Sequence, residues 1–151
     1  QIAATLLDLG ADPTFIHSHV YDSYSADRLK LLGFALNEKL TILPEYHAAI
    51  IALTEKELQQ FNFRKGDTEG LVNFPLSIKE VNMAVLITQK DGKVKMSFRS
   101  KGDFQVNQLA AKYFNGGGHI NAAGGISKLN VAETVEKLIK LLPEYEEALA
   151  F

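Results

Sequence analysis

The chain has 151 residues and a mass of 16.7 kDa, 46% hydrophobic and 23% charged, which is material for one ordinary domain and excludes wholesale disorder. Its 16 Lys and Arg against 18 Asp and Glu give a net charge of −2, which argues against a generally polycationic nucleic-acid coat and leaves a local basic site open. The cysteine count of 0 excludes a disulfide scaffold, a zinc ribbon and a cysteine nucleophile together. No apolar run approaches the roughly 18 residues of a membrane helix, and the start has no basic region of a signal peptide, so no membrane partner is expected and a cytoplasmic location fits. The chain opens on Gln1 rather than Met, inside an apolar periodic segment. It reads as part of something longer.

Ile2, Leu6, Leu7 and Leu9 recur at helical spacing and Gly10 closes the segment as a C-terminal cap. Asp12-Pro13 then reads as N-cap and first residue of a second helix through about Tyr21, and Ser25 caps a third that ends near Leu36. This third helix is either a docking helix or a linker. The character changes at Leu40, where the Ile, Leu and Ala run around Pro44 predicts a buried strand pair or strand bend and a domain start. Thr54 and Glu57 form a capping box for a short helix, which the Arg64-Lys65-Gly66-Asp67 turn ends.

Val81 to Ile87 and Val94 to Phe98 flank Asp91-Gly92, the dipeptide that a type I′ hairpin turn favours. Period two in the second strand sends Val94, Met96 and Phe98 inward and Lys95, Ser97 and Arg99 outward. Ser100 or Asp103 is expected to cap a helix carrying Val106, Leu109, Ala110 and Tyr113, which the glycines after Asn115 stop. Asn130 and Glu133 cap a last helix that Pro143 interrupts. Helices alternating with a hairpin and single strands predict an α/β or α+β sandwich with one mixed β-sheet and helices flanking it, preceded by an N-terminal helical segment; α/β is the expected class.

The stretch that carries chemistry is residues 115–125. Three adjacent glycines imply positive φ or a close approach by another group, and such a backbone can converge its N–H groups into an anion-binding nest. His119 follows and can add a directional donor to the same anion. The competing reading is that Gly116, Gly117 and Gly118 only end a helix and His119 is a surface residue. Arg99 shifts the balance, because a strand end can present its guanidinium as a bidentate fork for phosphate or carboxylate. Residues 89–128 contain seven Lys and Arg against Asp91 and Asp103, a local net of +5 within a chain whose remainder is −7, which favours an anionic ligand. His17 and His19 are two apart on a helix and face different ways, which does not suit a metal pair, and His47 reads as a structural histidine. There is no HExxH, no G-x-S-x-G and no Walker lysine.

Residues 98–124, FRSKGDFQVNQLAAKYFNGGGHINAAG, resemble the signature of the DHHA1 domain of the DHH phosphoesterase superfamily: an Arg-Ser pair, a Val-Asn helix start and a Gly-Gly-Gly-His loop in this order. Upstream, EGLVNFPLSIKEVNMAVLI and YDSYSADRLKLLG are similar to the subgroup of bifunctional oligoribonucleases and 3′-phosphoadenosine 5′-phosphate phosphatases. The resemblance implies that residues 1–38 are the last helices of a catalytic DHH domain plus a linker, and 40–151 a substrate-binding DHHA1 domain. It implies a metal-dependent phosphoesterase acting on nucleoside bisphosphates or short oligonucleotides, with Mn2+ or Mg2+ held in the DHH domain and none on this part, which alone should not hydrolyse. Carried over by position, Arg99 and Ser100 hold a substrate phosphate, Gly116, Gly117, Gly118 and His119 face the reacting phosphate, His119 is also the catalytic candidate through transition-state charge, and Asn107 and Asn121 add polar contacts. The implied partners are a nucleotide or short single-stranded oligonucleotide and the chain's own DHH domain, with a homodimer left open. Domain closure would make residues 37–45 a hinge. The alternative is a nucleic-acid-binding module, as in the exonuclease RecJ or alanyl-tRNA synthetase, for which Phe104 and Tyr113 are the available stacking rings.

Overall fold

The computed structural model describes residues 2–20 and 22–150, apart from the side chain of Ala3. In chain order the elements are α1 (Ile2–Asp8), α2 (Pro13–Val20), α3 (Ala26–Glu38), β1 (Leu40–Leu43), β2 (Ala48–Leu53), α4 (Glu55–Gln60), α5 (Asn73–Leu76), β3 (Met83–Lys90), β4 (Lys93–Ser100), α6 (Val106–Tyr113), β5 (Gly117–His119), β6 (Ala122–Ser127), α7 (Val131–Leu141) and α8 (Glu146–Leu149). The fold is α/β, as the alternation predicts. Six strands form one mixed sheet in the order β1-β2-β3-β4-β6-β5, in which β2 and β3 are parallel and the other neighbours antiparallel.

Local chemistry sets most boundaries. Gly10 has φ 85, and the bonds Gly10 N to Leu7 O and Ala11 N to Leu6 O close α1. Asp12 Oδ1 accepts from Thr14 N at 2.8 Å at the start of α2, and Ser25 accepts from Arg28 N at 3.1 Å at the start of α3. Tyr21, the expected end of the second helix, lies outside the described residues. Both capping boxes form, Thr54 with Glu57 and Asn130 with Glu133. The β3–β4 turn holds Asp91 at φ 51 and Gly92 at φ 69, as a type I′ turn requires. One expected cap does not form. Ser100 donates to Phe104 O at 2.7 Å, and Gln105 occupies the cap of α6 without a side-chain bond. Ser100 is the last residue of β4, and Val106 N already finds an acceptor in Ile120 O at 2.9 Å, so the helix start is satisfied from the sheet.

The central strands β2 and β3 are buried on both faces, which is why their sequence is an almost unbroken apolar run rather than an alternation. One face carries Ile50, Val85, Ile87, Met96 and Phe98 and packs against Leu109 and Phe114 of the α6 region and Leu138 of α7. The other carries Ile51, Leu53, Ala84 and Leu86 and packs against Leu31 and Ala35 of α3, Leu58 of α4 and Leu71 and Val72. Residues 37–45, expected as a hinge, are held: Lys39 pairs with Glu57 at 2.8 Å and β1 is in the sheet. Among the described residues, α1 and α2 add nothing to either core, and no helix is long and apolar enough to cross a membrane.

Candidate functional site

The cover on the second face stops at β3. Beyond it the outward residues of β4 and β6 face solvent: Lys95 is exposed, Gly124 is exposed and Ile126 is 49% exposed. This uncovered half of the sheet is where two of the predicted residues, Arg99 and His119, meet. Arg99 is in register with Ala122, and Ala122 is in register with His119. Residues opposite one another in an antiparallel ladder share a face, so Arg99 and His119 project from the same side, two strands and about 10 Å apart at the backbone. Only a methyl group stands between them. Arg99 is half-buried and spends one N–H on its neighbour's carbonyl, Nη1 to Phe98 O at 2.9 Å, which leaves most of its five donors outward. His119 is exposed on the outermost strand.

The glycine segment differs from the expected nest. Gly117–His119 is an extended strand paired with Ala122–Gly124, and successive N–H groups of a strand point in opposite directions, so they do not converge on one anion. Gly116 and Gly118 serve close packing instead. A Cβ on Gly116 would collide with the Gly124 carbonyl oxygen, and one on Gly118, at φ 146, would stand 2.5 Å from Ala122 O. Gly117 has open space at its Cβ position and sits in the row next to Arg99 and His119, opposite Gly124. Asn115, at φ 47, makes the left-handed step that ends α6.

Ser100 and Asn121 belong to the framework. Ser100 points to the opposite face from Arg99, is 8% exposed, and its hydroxyl accepts from Asn121 Nδ2 at 3.0 Å while donating to Phe104 O. Asn121 Nδ2 also donates to Gly102 O at 2.8 Å, and Asn121 O accepts from Ser100 N. These bonds tie the β5–β6 turn to the end of β4 and so set His119 beside Arg99. Asn107 stands on α6, which packs on the other face, and its Oδ1 accepts from Gln108 N at 3.0 Å. Phe104 is buried and Tyr113 donates to Glu144 Oε2 at 2.9 Å. Neither ring lies on the Arg99 face.

The +5 segment does not converge as a whole. Lys101 donates to Ile78 O at 3.0 Å, and Lys112 lies over the Tyr113 ring on α6. Instead, Arg99 forms one end of a groove of about 460 Å³ between β3–β4 and the loop of residues 63–72, which Lys65, Lys90 and Lys95 also line. Sequence places Lys65 only in a turn. Period two alone puts Lys95 with Arg99, but nothing local brings a lysine 34 residues earlier to the same groove. Among the described residues no group of three or more His, Asp or Glu comes together that could hold a metal. His47 is structural, its Nδ1 bonded to Glu80 O at 3.0 Å.

The DHHA1 domain family matches residues 44–148. The chain belongs to the DHHA1 domain family. The match takes in Arg99, the glycine segment and His119. Among curated proteins, the DHHA1 domain described here is similar to the bifunctional oligoribonuclease and PAP phosphatase NrnA of Bacillus subtilis (strain 168), 33% identical over 96 residues, which is 64% of this chain and 29% of that protein. It is also similar to the cyclic-di-AMP phosphodiesterase GdpP of the same organism, 31% identical over 150 residues, 96% of this chain and 21% of that protein. An exopolyphosphatase-related protein from Bacteroides fragilis superposes with a TM-score of 0.93 at 40% identity, covering 98% of this chain and 43% of that one. The chain spans less than half the length of each of these relatives.

Proposed function

We propose that this DHHA1 domain is the substrate-binding, C-terminal part of a metal-dependent phosphoesterase that hydrolyses short oligonucleotides or nucleoside bisphosphates. The observation that carries the reading is the pairing of Arg99 and His119 across Ala122 on an uncovered sheet face. An Arg fork and an imidazole about 10 Å apart at the backbone can grip one phosphate from two sides, with hydrogen bonds strengthened by charge. Ser100 and Asn121 act as positioning residues, since their bonds fix the β5–β6 turn.

In this reading the domain binds and orients, and His119 also stabilises charge on the reacting phosphate. Mn2+ or Mg2+ belongs to a DHH catalytic domain, whose last helices would be α1 and α2; their exposed Leu6, Leu7, Phe15 and Val20 would pack against the rest of it. The names of the curated relatives support the nucleotide substrate class. Phe104 and Tyr113, the rings that a strand-tracking module would stack on, are not on this face, so the short-substrate enzyme is favoured over a RecJ-like or synthetase-like binding module.

The test is binding and turnover in the intact protein. Arg99→Ala should weaken phosphate-ester binding by about 10-fold to 100-fold, the scale of a charge-assisted bidentate contact. His119→Ala should lower kcat more than it raises KM. Unchanged kinetics in both variants would sink the proposal.

A further inference from the structure

The groove that starts at Arg99 continues past any single phosphate. Along β4, Ser97 and Lys95 lie two and four residues before Arg99 on the same face, so Lys95 stands about 13 Å from Arg99 at the backbone. Lys65 and Thr68 of the 63–72 loop form the facing wall, and Phe63 lines it with the Lys90 ammonium 5.4 Å from its ring centroid. Glu69 and Asp91 also line the groove, so carboxylates are near. Yet the ion pairs among the described residues are His17–Asp22 and Lys39–Glu57, and no carboxylate comes within pairing distance of Lys65, Lys90 or Lys95. Lys65, Lys90, Lys95 and Arg99 against Glu69 and Asp91 leave the trough with a net positive charge that extends past the Arg99–His119 pair.

We infer that Lys65 and Lys95 form a second anion subsite, which takes the next phosphate of a ligand whose first phosphate sits at Arg99 and His119. The inference rests on the reading of that first site. A nucleoside monophosphate, with a single phosphate, cannot occupy both subsites. A nucleoside carrying a phosphate at each end, as in a 5′-phosphorylated dinucleotide, can, with Ser97 and Thr68 as hydroxyl donors along the way and the half-buried ring of Phe63 beside it. The subsite thus sets preference for two linked phosphates over one.

The experiment is calorimetric titration of the intact protein with adenosine 5′-monophosphate and with a 5′-phosphorylated diadenylate whose internal link is a phosphorothioate, which resists hydrolysis. The wild type should bind the dinucleotide about tenfold more tightly than the monophosphate, the scale of one added charge-assisted contact. Combining Lys65→Ala and Lys95→Ala, both exposed positions, should erase that advantage, leave monophosphate affinity unchanged, and lower the slope of log K against log salt for the dinucleotide by about 1. A wild type without the advantage, or a double variant that keeps it or loses both ligands equally, overturns the subsite. Arg99→Ala should weaken both ligands. If it does not, the first site fails while the lysine comparison still decides the second.

Discussion

Arg99 and His119 are 20 residues apart in sequence and reach one another through backbone pairing alone, with Ala122 as the shared partner. The small residues around them divide by what they touch. Gly116 has no room for a methyl group because the Gly124 carbonyl fills the space, whereas Gly117 faces open solvent. Gly116→Ala should therefore destabilise the domain by about 3 kcal/mol or more, an overpacking cost against rigid backbone. Gly117→Ala should leave the melting temperature within a few degrees of wild type, as measured by thermal denaturation, since its backbone and surroundings accept a side chain. Equal losses in the two variants would show that the β5–β6 pairing differs from that described. The sequence pattern points to this segment as chemical, but its three glycines look alike on the page of letters. Only the β6 backbone lying against two of them tells them apart.

At the scale of elements, the signals that depend on a few neighbouring residues are the ones that sequence predicts. The capping boxes and the Asp91-Gly92 turn are satisfied within four residues of chain, so nothing distant can override them. Thr54→Ala should cost about 1 kcal/mol, as loss of an N-cap does, measured by chemical denaturation. Glu57 shows the linked pH behaviour. Burial pushes its carboxyl up, but the bonds to Lys39 and to the Thr54 backbone and hydroxyl push it further down, so the folded value lies below the ordinary carboxylate range. That stabilisation is present above the unfolded value and is lost as pH falls through the folded one. Glu57→Gln should thus be less stable than wild type at neutral pH, with the gap closing in acid; a gap independent of pH would refute the ion-pair origin. The start of α6 is the opposite case. Ser100 and Asp103 have the right chemistry for a cap, yet Ile120 O, from the β5–β6 turn, supplies the acceptor for Val106 N.

For the whole molecule, the two faces of the sheet are unequal. One is covered across its width by α6 and α7, and the other is covered only as far as β3. The open half carries Arg99 and His119, and its Arg99 end leads into the lysine-lined groove. The expected hinge at residues 37–45 is instead part of the packed unit, because α3 buries Leu31 and Ala35 against the sheet. Less firmly held backbone lies further toward the N-terminus. In the 151-residue chain, hydrogen exchange should be fast in α1 and α2, which bury nothing in either core, and slow in α3, β2 and β3. Protection of α2 equal to that of α3 would contradict this.

What the sequence determined by itself is whatever rests on short-range chemistry: helix caps, the hairpin turn, the inward and outward alternation of β4, and the candidate pair Arg99 and His119. What only the tertiary structure decided is which of those outward residues stay uncovered and which distant ones join them. Strand order and the extent of the helical cover are set by packing between segments tens of residues apart, and no local pattern encodes where that cover ends. That is why Lys65 was invisible as a groove residue, why Ser100 turned inward to the framework while its neighbour Arg99 faced out, and why the glycine segment is a strand in contact with β6 rather than a nest.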